Sequence, residues 1–304
     1  MQKEIKNNMP NWCTDVETKF QLLMSDDIDA LMCYMFQKTK FNRESEYFID
    51  MSSNKAYQNY SGTVRKDGVQ TLYSTNEATG KRKDMLALDV SINRDTKSWD
   101  NHVVQIGKNE TNYNKLSANL NIAKNVNKTN YTDKAIISTF ITMLSYYNSP
   151  IHEYDKDQLA LLCAIDGVYQ PFLKGFEKQG TKNLELLGFE FLVQFIKENM
   201  QYIQEIDKKY LKDKHIWVNK DGYLTTNLNL DVISDLFNYP IELPKKQFSK
   251  CGEFKSKIFN TASFSDKAAM EEFYEKKIFN IALTYKSSGI VSFIEQTESK
   301  IINK

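Results

Sequence analysis

The chain is poor in the residues that cross-link or interrupt a fold. It has four cysteines in 304 residues, Cys13, Cys33, Cys163 and Cys251, spaced too widely for any CxxC pair. Zinc-ribbon and dithiol-redox sites are excluded on that ground, and the cysteines read as reduced core thiols. Five prolines and eleven glycines are few for this length, which argues against a loop-rich or disordered chain. Neither charge dominates: 40 Lys and Arg face 39 Asp and Glu, a net charge of +1. That balance gives no case for a long basic track along nucleic acid. No apolar run approaches the roughly 20 residues that span a bilayer, so no membrane is expected as a partner. The charged opening Met1-Gln2-Lys3-Glu4 has no apolar segment behind it, and a cytoplasmic location is the expectation. The GxGxxG fingerprint, the P-loop, the GxSxG elbow and the HExxH zinc motif are all missing. A nucleophilic pair of Cys13 or Cys33 with His102 has no supporting signature.

What the chain does have is acids at the ends of apolar runs. Leu22-Leu23-Met24 leads into Ser25-Asp26-Asp27-Ile28-Asp29, and the apolar run Ala30 to Phe36 follows. The short run reads as a buried strand and the longer one as a helix. The acids then sit at the carboxyl end of a strand, where open α/β sheets place their ligands. A plainer alternative is that the acids cap the helix, since Asp is a preferred N-cap.

The pattern recurs along the first 170 residues. Glu46 to Asp50 reads as a second strand ending on an acid, and Asp84 to Ser91 as a third that runs into Asp89. Trp99 to Val104 carries Asp100 and His102. Residues 52–82 read as surface loop with one hairpin at the Lys66-Asp67-Gly68 turn signal, and 107–130 as irregular. Ile136–Tyr147 and Asp157–Ile165 read as helices, the second very apolar and ending at Asp166-Gly167. Residues 183–213 form the longest helical pattern. Strand-like pieces at 215–218, a helix over Lys267–Asn280, and strands at 281–285 and 290–293 complete the chain.

The expected architecture is therefore α/β. A mainly parallel sheet flanked by helices occupies residues 1–182, a connecting helix 183–214, and a smaller α+β domain 215–304. Strand ends in a parallel sheet converge on one edge. Asp29, Asp50, Asp89, Asp100 and Asp166 delivered there would suit hard divalent cations. Such cations serve phosphoryl transfer. His102 alone among the three histidines lies inside an acid cluster; a core histidine bonded to Asp100 is the competing reading.

In order, these segments resemble the Asp-His-His (DHH) phosphoesterases, a superfamily that includes RecJ-like exonucleases, oligoribonucleases and cyclic-dinucleotide phosphodiesterases. Asp27-Ile28-Asp29 is similar to the family's first motif and Leu88-Asp89 to its second. Asp100-Asn101-His102 stands at the name-giving triad, Ser138-Thr139 opens the next helix, and the apolar run to Asp166 resembles the fourth motif. The resemblance covers about residues 20–175. It implies Mn²⁺ or Mg²⁺ held by Asp27, Asp29, Asp89 and Asp166, and catalytic roles for Asp100, Asn101 and His102. The implied substrate is a short oligonucleotide or a small linear or cyclic nucleotide, with a homodimer left open.

Three departures accompany it. Asn101 replaces the first histidine, a poorer partner for manganese than imidazole. The interval from Asp89 to Asp100 is short. Of a Gly-rich C-terminal phosphate-contacting run only Ser287-Ser288-Gly289 is found. A second reading follows: a weakened member that binds or sequesters a nucleotide or a protein partner. A third is a structural protein with surface acids.

Overall fold

The structure is a computed structural model and describes residues 1–51, 68–93 and 95–294. Its elements in chain order begin with helix α1 (Lys3–Asn7), strand β1 (Gln21–Met24), helix α2 (Ile28–Phe41), and strands β2 (Ser45–Asp50), β3 (Gly68–Ser74), β4 (Met85–Leu88), β5 (Lys97–Asp100) and β6 (Ser117–Asn119). Six helices follow: α3 (Leu120–Ala123), α4 (Thr139–Tyr146), α5 (Lys156–Ala164), α6 (Gln170–Leu173), α7 (Glu177–Leu187) and α8 (Phe191–Ile206). The last part holds β7 (Ile216–Val218), β8 (Leu224–Thr226), α9 (Leu230–Phe237), β9 (Ser249–Asn260), α10 (Lys267–Tyr274), β10 (Lys277–Tyr285) and β11 (Ser288–Ile294).

Nine of these strands form one mixed sheet in the order β10-β11-β9-β3-β2-β1-β4-β5-β6, and β7 and β8 form a separate ribbon. The pairs β2–β1, β1–β4, β4–β5 and β5–β6 are parallel. The pairs from β2 outward through β3, β9, β11 and β10 are antiparallel. Strands β9, β10 and β11 thus continue the sheet begun at β1, while β7 and β8 stand apart from it. The physical reason is the edge at β3: its backbone groups need a partner, and β9 supplies one along Gly68–Ser74.

Alternation along the strands shows that both faces of the sheet are buried. Leu22, Met24, Phe48, Leu86, Leu88 and Trp99 belong to one core with residues of α2, α4, α5 and α8. Their neighbours Leu23, Tyr47, Ile49, Met85 and Ala87 belong to another, with Phe254 of β9 and Phe279 of β10. Phe254 and Phe279 stack with centroids 3.7 Å apart. The sheet therefore curls, and β10 returns to the segments that follow β4 and β5. Asn93 N–H donates to Phe279 O at 2.7 Å and Leu283 N–H to Val103 O at 2.8 Å. A third core, including Val103, Ile106, Phe259, Met270, Ile281 and Leu283, seals this closure.

Several local details depart from the expected segments. The 183–213 helix is broken at Gly188, whose φ of +71° ends α7 in a left-handed cap. The C-terminal helix stops at Tyr274, with Glu275 left-handed, so β10 begins earlier than expected. Residues 68–74 are a strand; Lys66 and Asp67 of the expected turn lie outside the described residues. β9 carries no simple apolar alternation, and its pairing on both sides makes it a strand. Among the described residues no helix is long and apolar enough to cross a membrane.

A buried ion pair ties α10 to the loop after β5. Lys267 and Glu110 are almost wholly enclosed, with Nζ 3.8 Å from Oε1. Lys267 Nζ also donates to Val104 O at 3.0 Å, and Glu110 accepts from Lys267 N–H and Ile106 N–H. Removing one partner of such a pair leaves a buried charge. Lys267→Met is expected to lower unfolding free energy by about 3–5 kcal/mol in urea titration. The double variant Lys267→Met, Glu110→Gln should cost less. A single-variant loss below about 1 kcal/mol would show that the pair does not hold the closure.

Candidate metal centre

Asp27, Asp29, Asp89 and Asp100 stand where β1, β4 and β5 end and α2 begins, and Asp166 joins Asp29 and Asp89 from the end of α5. Asp27 is the N-cap of α2, and its carboxylate accepts from Ala30 N–H at 3.0 Å. The capping alternative is thus realised at Asp27, while its electrostatic neighbours are Asp89 and Asp166. Asp29, one residue into the helix, is 0% exposed. Its two oxygens accept from Thr139 N–H at 2.6 Å and Phe140 N–H at 2.9 Å, at the start of α4. Ser138 caps that helix through Ile141 N–H. The α4 N-terminus therefore fixes one acid by its free amides.

Asp89 follows β4 directly. Its φ of +58° is left-handed, a conformation Asp tolerates better than most residues. Its carboxylate accepts from the Thr139 hydroxyl at 2.7 Å. Thr139 thus holds Asp29 by its amide and Asp89 by its side chain. Asp166 ends the apolar helix α5 in the same left-handed region, φ +54°, beside Gly167. It is exposed, and Asn101 Nδ2 donates to it. One carboxylate oxygen from each of Asp29, Asp89 and Asp166 lies within 4.8 Å of the others. Asp27 is outside that set.

A second set shares Asp89. Ligand atoms of Asp89, Asp100 and His102 also lie within 4.8 Å of one another. His102 Nδ1 stands 2.7 Å from Asp100 Oδ1, so a proton between them leaves Nε2 as the free ring nitrogen. Asp100 is 1% exposed and also accepts from Asn119 Nδ2 at 2.7 Å. Asn119 Nδ2 reaches His102 O at 2.8 Å, and Asn121 Nδ2 reaches Asn101 O at 2.6 Å. These two asparagines clamp Asp100-Asn101-His102 from the strand-to-helix turn at β6. They fall in the segment read as irregular. The available signal was the Asn119-x-Asn121 pair itself, since Asn119 caps α3.

Crowding raises the carboxyl pKa values. Burial, then Asp89 and Asp166, push Asp27 well above its ordinary range. Burial, then Asp166, Asp89 and Asp27, do the same to Asp29. Asp89 is raised to about 7, chiefly by burial and then by Asp166, against the pull of His102. For His102, burial opposes the charged ring but the Asp100 ion pair outweighs it, and the pKa rises to about 9. Hard carboxylate oxygens in this density are a donor set for a divalent cation. The residues present fit such an ion at Asp29, Asp89 and Asp166.

Asp50, a fifth acid of the strand-end pattern, ends β2 and pairs with Thr71 of β3; it is not in either set. Two cavities open on the acids. One of about 270 Å³ is lined by Asp89 and His102 together with Asn280, Ala282 and Thr284 of β10. The other, about 540 Å³, is lined by Asp166 and shares Thr284 and Ile290 with the first. Comparison with protein-family models, curated proteins and solved structures finds no match.

The metal-free pH dependence follows from these shifts. A pKa raised on folding adds stability that is full below the unfolded value and is lost as pH rises through the folded one. For Asp89 that window runs from about 4 to about 7. For His102 it runs from about 6.5 to about 9. In chelator, the thermal midpoint should decline from pH 5 to pH 9, and Asp89→Asn should flatten the lower part of the decline. A midpoint in Asp89→Asn that tracks wild type across pH 5–7 would contradict the assignment.

Proposed function

We propose that the chain is a divalent-metal-dependent phosphoesterase of the Asp-His-His type, acting on a short or cyclic nucleotide. The observation that carries this reading is the pair of overlapping ligand sets, Asp29-Asp89-Asp166 and Asp89-Asp100-His102, joined at Asp89. Mn²⁺ or Mg²⁺ would be the cofactor, held by Asp29, Asp89 and Asp166. Such ions supply an activated water at neutral pH and offset charge on a phosphoryl group.

The chain's own groups have distinct tasks in this reading. Thr139 holds Asp29 and Asp89 in place through its amide and hydroxyl. Asp100 fixes the His102 ring through Nδ1 and stabilises its charged form. The other ring nitrogen is then a donor toward a phosphate oxygen or an acid for the leaving group. Asn119 and Asn121 hold the backbone of that segment. The cavity at β10 supports the reading, because it offers a ligand space bordered by both Asp89 and His102. The near-neutral net charge favours a small substrate over long nucleic acid.

Asn101 favours a second reading, a binding protein with little turnover. Its Nδ2 donates to Asp166, so the side chain at the family's histidine position serves a ligand acid as a hydrogen-bond donor. Activity of variants separates the two readings.

Mn²⁺ should raise the wild-type thermal midpoint, and Asp89→Asn and Asp166→Asn should each abolish most of that rise. The apo variants should stay folded or gain stability from relieved repulsion. Both variants retaining the wild-type response would remove the metal assignment. With linear and cyclic dinucleotides and Mn²⁺, His102→Ala should lower the rate by roughly 10²–10⁴ and leave Mn²⁺ binding largely intact. Asn101→His should tighten Mn²⁺ and raise the rate. If neither wild type nor Asn101→His cleaves any member while wild type binds one tightly, the binding reading replaces the enzyme.

A further inference from the structure

The cavity of about 540 Å³ beside Asp166 has an unusual wall. Lys134, Tyr131, Lys174, Phe176 and Tyr285 line it along with Asp166. Its volume is that of a small-molecule site. Lys134 stands at the C-terminal end of a 3-10 turn, Lys128–Asp133. Its backbone is held at both ends: its N–H donates to Tyr131 O at 3.1 Å, and its carbonyl accepts from Asn183 Nδ2 at 3.3 Å. Its side chain is half-buried. The ammonium makes no hydrogen bond among the described residues; it lies 6.0 Å from the centre of the Tyr131 ring.

A cation withdrawn from water without an acceptor is costly unless something else offsets the loss. Burial lowers the Lys134 pKa, while Asp166, Asp100 and Asp89 pull it back up. The acid cluster favours the charged ammonium against burial, and among the described residues the ammonium donates to none of those acids. Three donors remain for a ligand. On the same cavity, Phe176 is 51% and Tyr285 53% exposed, which is high for large aromatic side chains. Tyr131, whose hydroxyl donates to Leu283 O at 3.1 Å, links the lysine wall to the strand that carries Tyr285.

We propose that Lys134 seats a phosphate of the ligand, and that the cavity beyond it takes the nucleoside of a nucleoside phosphate, its base lying against Phe176 and Tyr285. The two chemistries are adjacent on one wall: a charge-assisted donor for an anion and planar faces for a base. The inference rests on the phosphoester reading of the neighbouring acids and adds the direction in which the substrate lies. The leaving or retained nucleoside points away from β4, along the helices α6 and α7 that carry Phe176 between them.

The test is calorimetric titration of the full chain with adenosine 5′-monophosphate, adenosine and inorganic phosphate, in Mn²⁺ and in chelator. In chelator, Lys134→Gln should weaken the monophosphate and inorganic phosphate by roughly tenfold or more, the size of a charged hydrogen bond. It should leave adenosine unchanged, and Lys134→Arg should recover most of the loss. The double variant Phe176→Ala, Tyr285→Ala should weaken the monophosphate and adenosine by roughly fivefold to a hundredfold and leave phosphate unchanged. Unaltered thermal midpoints would exclude misfolding as the cause. Wild-type phosphate affinity in Lys134→Gln overturns the proposal. So does equal weakening of all three ligands by the aromatic variant, or wild type that binds none of them at millimolar concentration.

The outcome for the phosphoester reading is separate. Absence of any Mn²⁺-dependent hydrolysis with Lys134-dependent monophosphate binding intact would remove the enzyme and uphold the subsite. Mn²⁺-dependent hydrolysis with affinities indifferent to Lys134 would remove the subsite and leave the enzyme.

Discussion

The structure turns on the repulsion among Asp29, Asp89 and Asp166. Asp29 and Asp89 are both buried, and their nearest oxygens lie within 4.8 Å. At an effective dielectric constant of about 20, two unit charges at that distance repel by roughly 3–4 kcal/mol. That cost must be met by what surrounds the acids. The α4 N-terminus meets part of it with two amides on Asp29, and Thr139 meets part with its hydroxyl on Asp89. Raised pKa values meet another part by holding protons. A divalent cation would meet the rest, which is why the cluster supports a metal reading better than a structural one.

The curled sheet decides what else the acids meet. Parallel pairing of β1, β4 and β5 brings their carboxyl ends to one edge. Antiparallel additions through β3, β9 and β11 carry β10 round until it bridges Ile92 and Val103, just beyond β4 and β5. The C-terminal strands consequently form a wall of the cleft above the acids. Gln70 and Asn280 hydrogen-bond across that closure at 3.0 Å, and Ser292 holds Asn280 in turn. The site is made by residues more than 200 positions apart.

Much of the acid edge was legible in the sequence. The pattern of an acid following an apolar run picked out Asp29, Asp89, Asp100 and Asp166, and with them Asp50, which ends β2 but stands in neither ligand set. The helix around Thr139 was legible but its start was not: the pattern runs from Ile136, whereas the helix begins at Thr139 with Ser138 as its N-cap. Asp27 shows the limit: the same position suits a cap and a ligand, and only the hydrogen bond to Ala30 shows which contact it makes here. Asn119 and Asn121 were hidden because an Asn-rich stretch reads as loop until the strand beside it is known. Lys134 was hidden for a different reason. Nothing local distinguishes it from the other lysines; its meaning comes from burial beside three acids and from the cavity it lines. β9 and the closure by β10 are products of long-range pairing, which no local pattern carries.

The central claim is that these carboxylates hold a divalent ion. The most direct measurement is anomalous X-ray scattering at the manganese edge from crystals grown with Mn²⁺. The account predicts a peak bounded by the carboxylates of Asp29, Asp89 and Asp166. No peak there at saturating Mn²⁺, or a peak only at surface acids elsewhere, would contradict it.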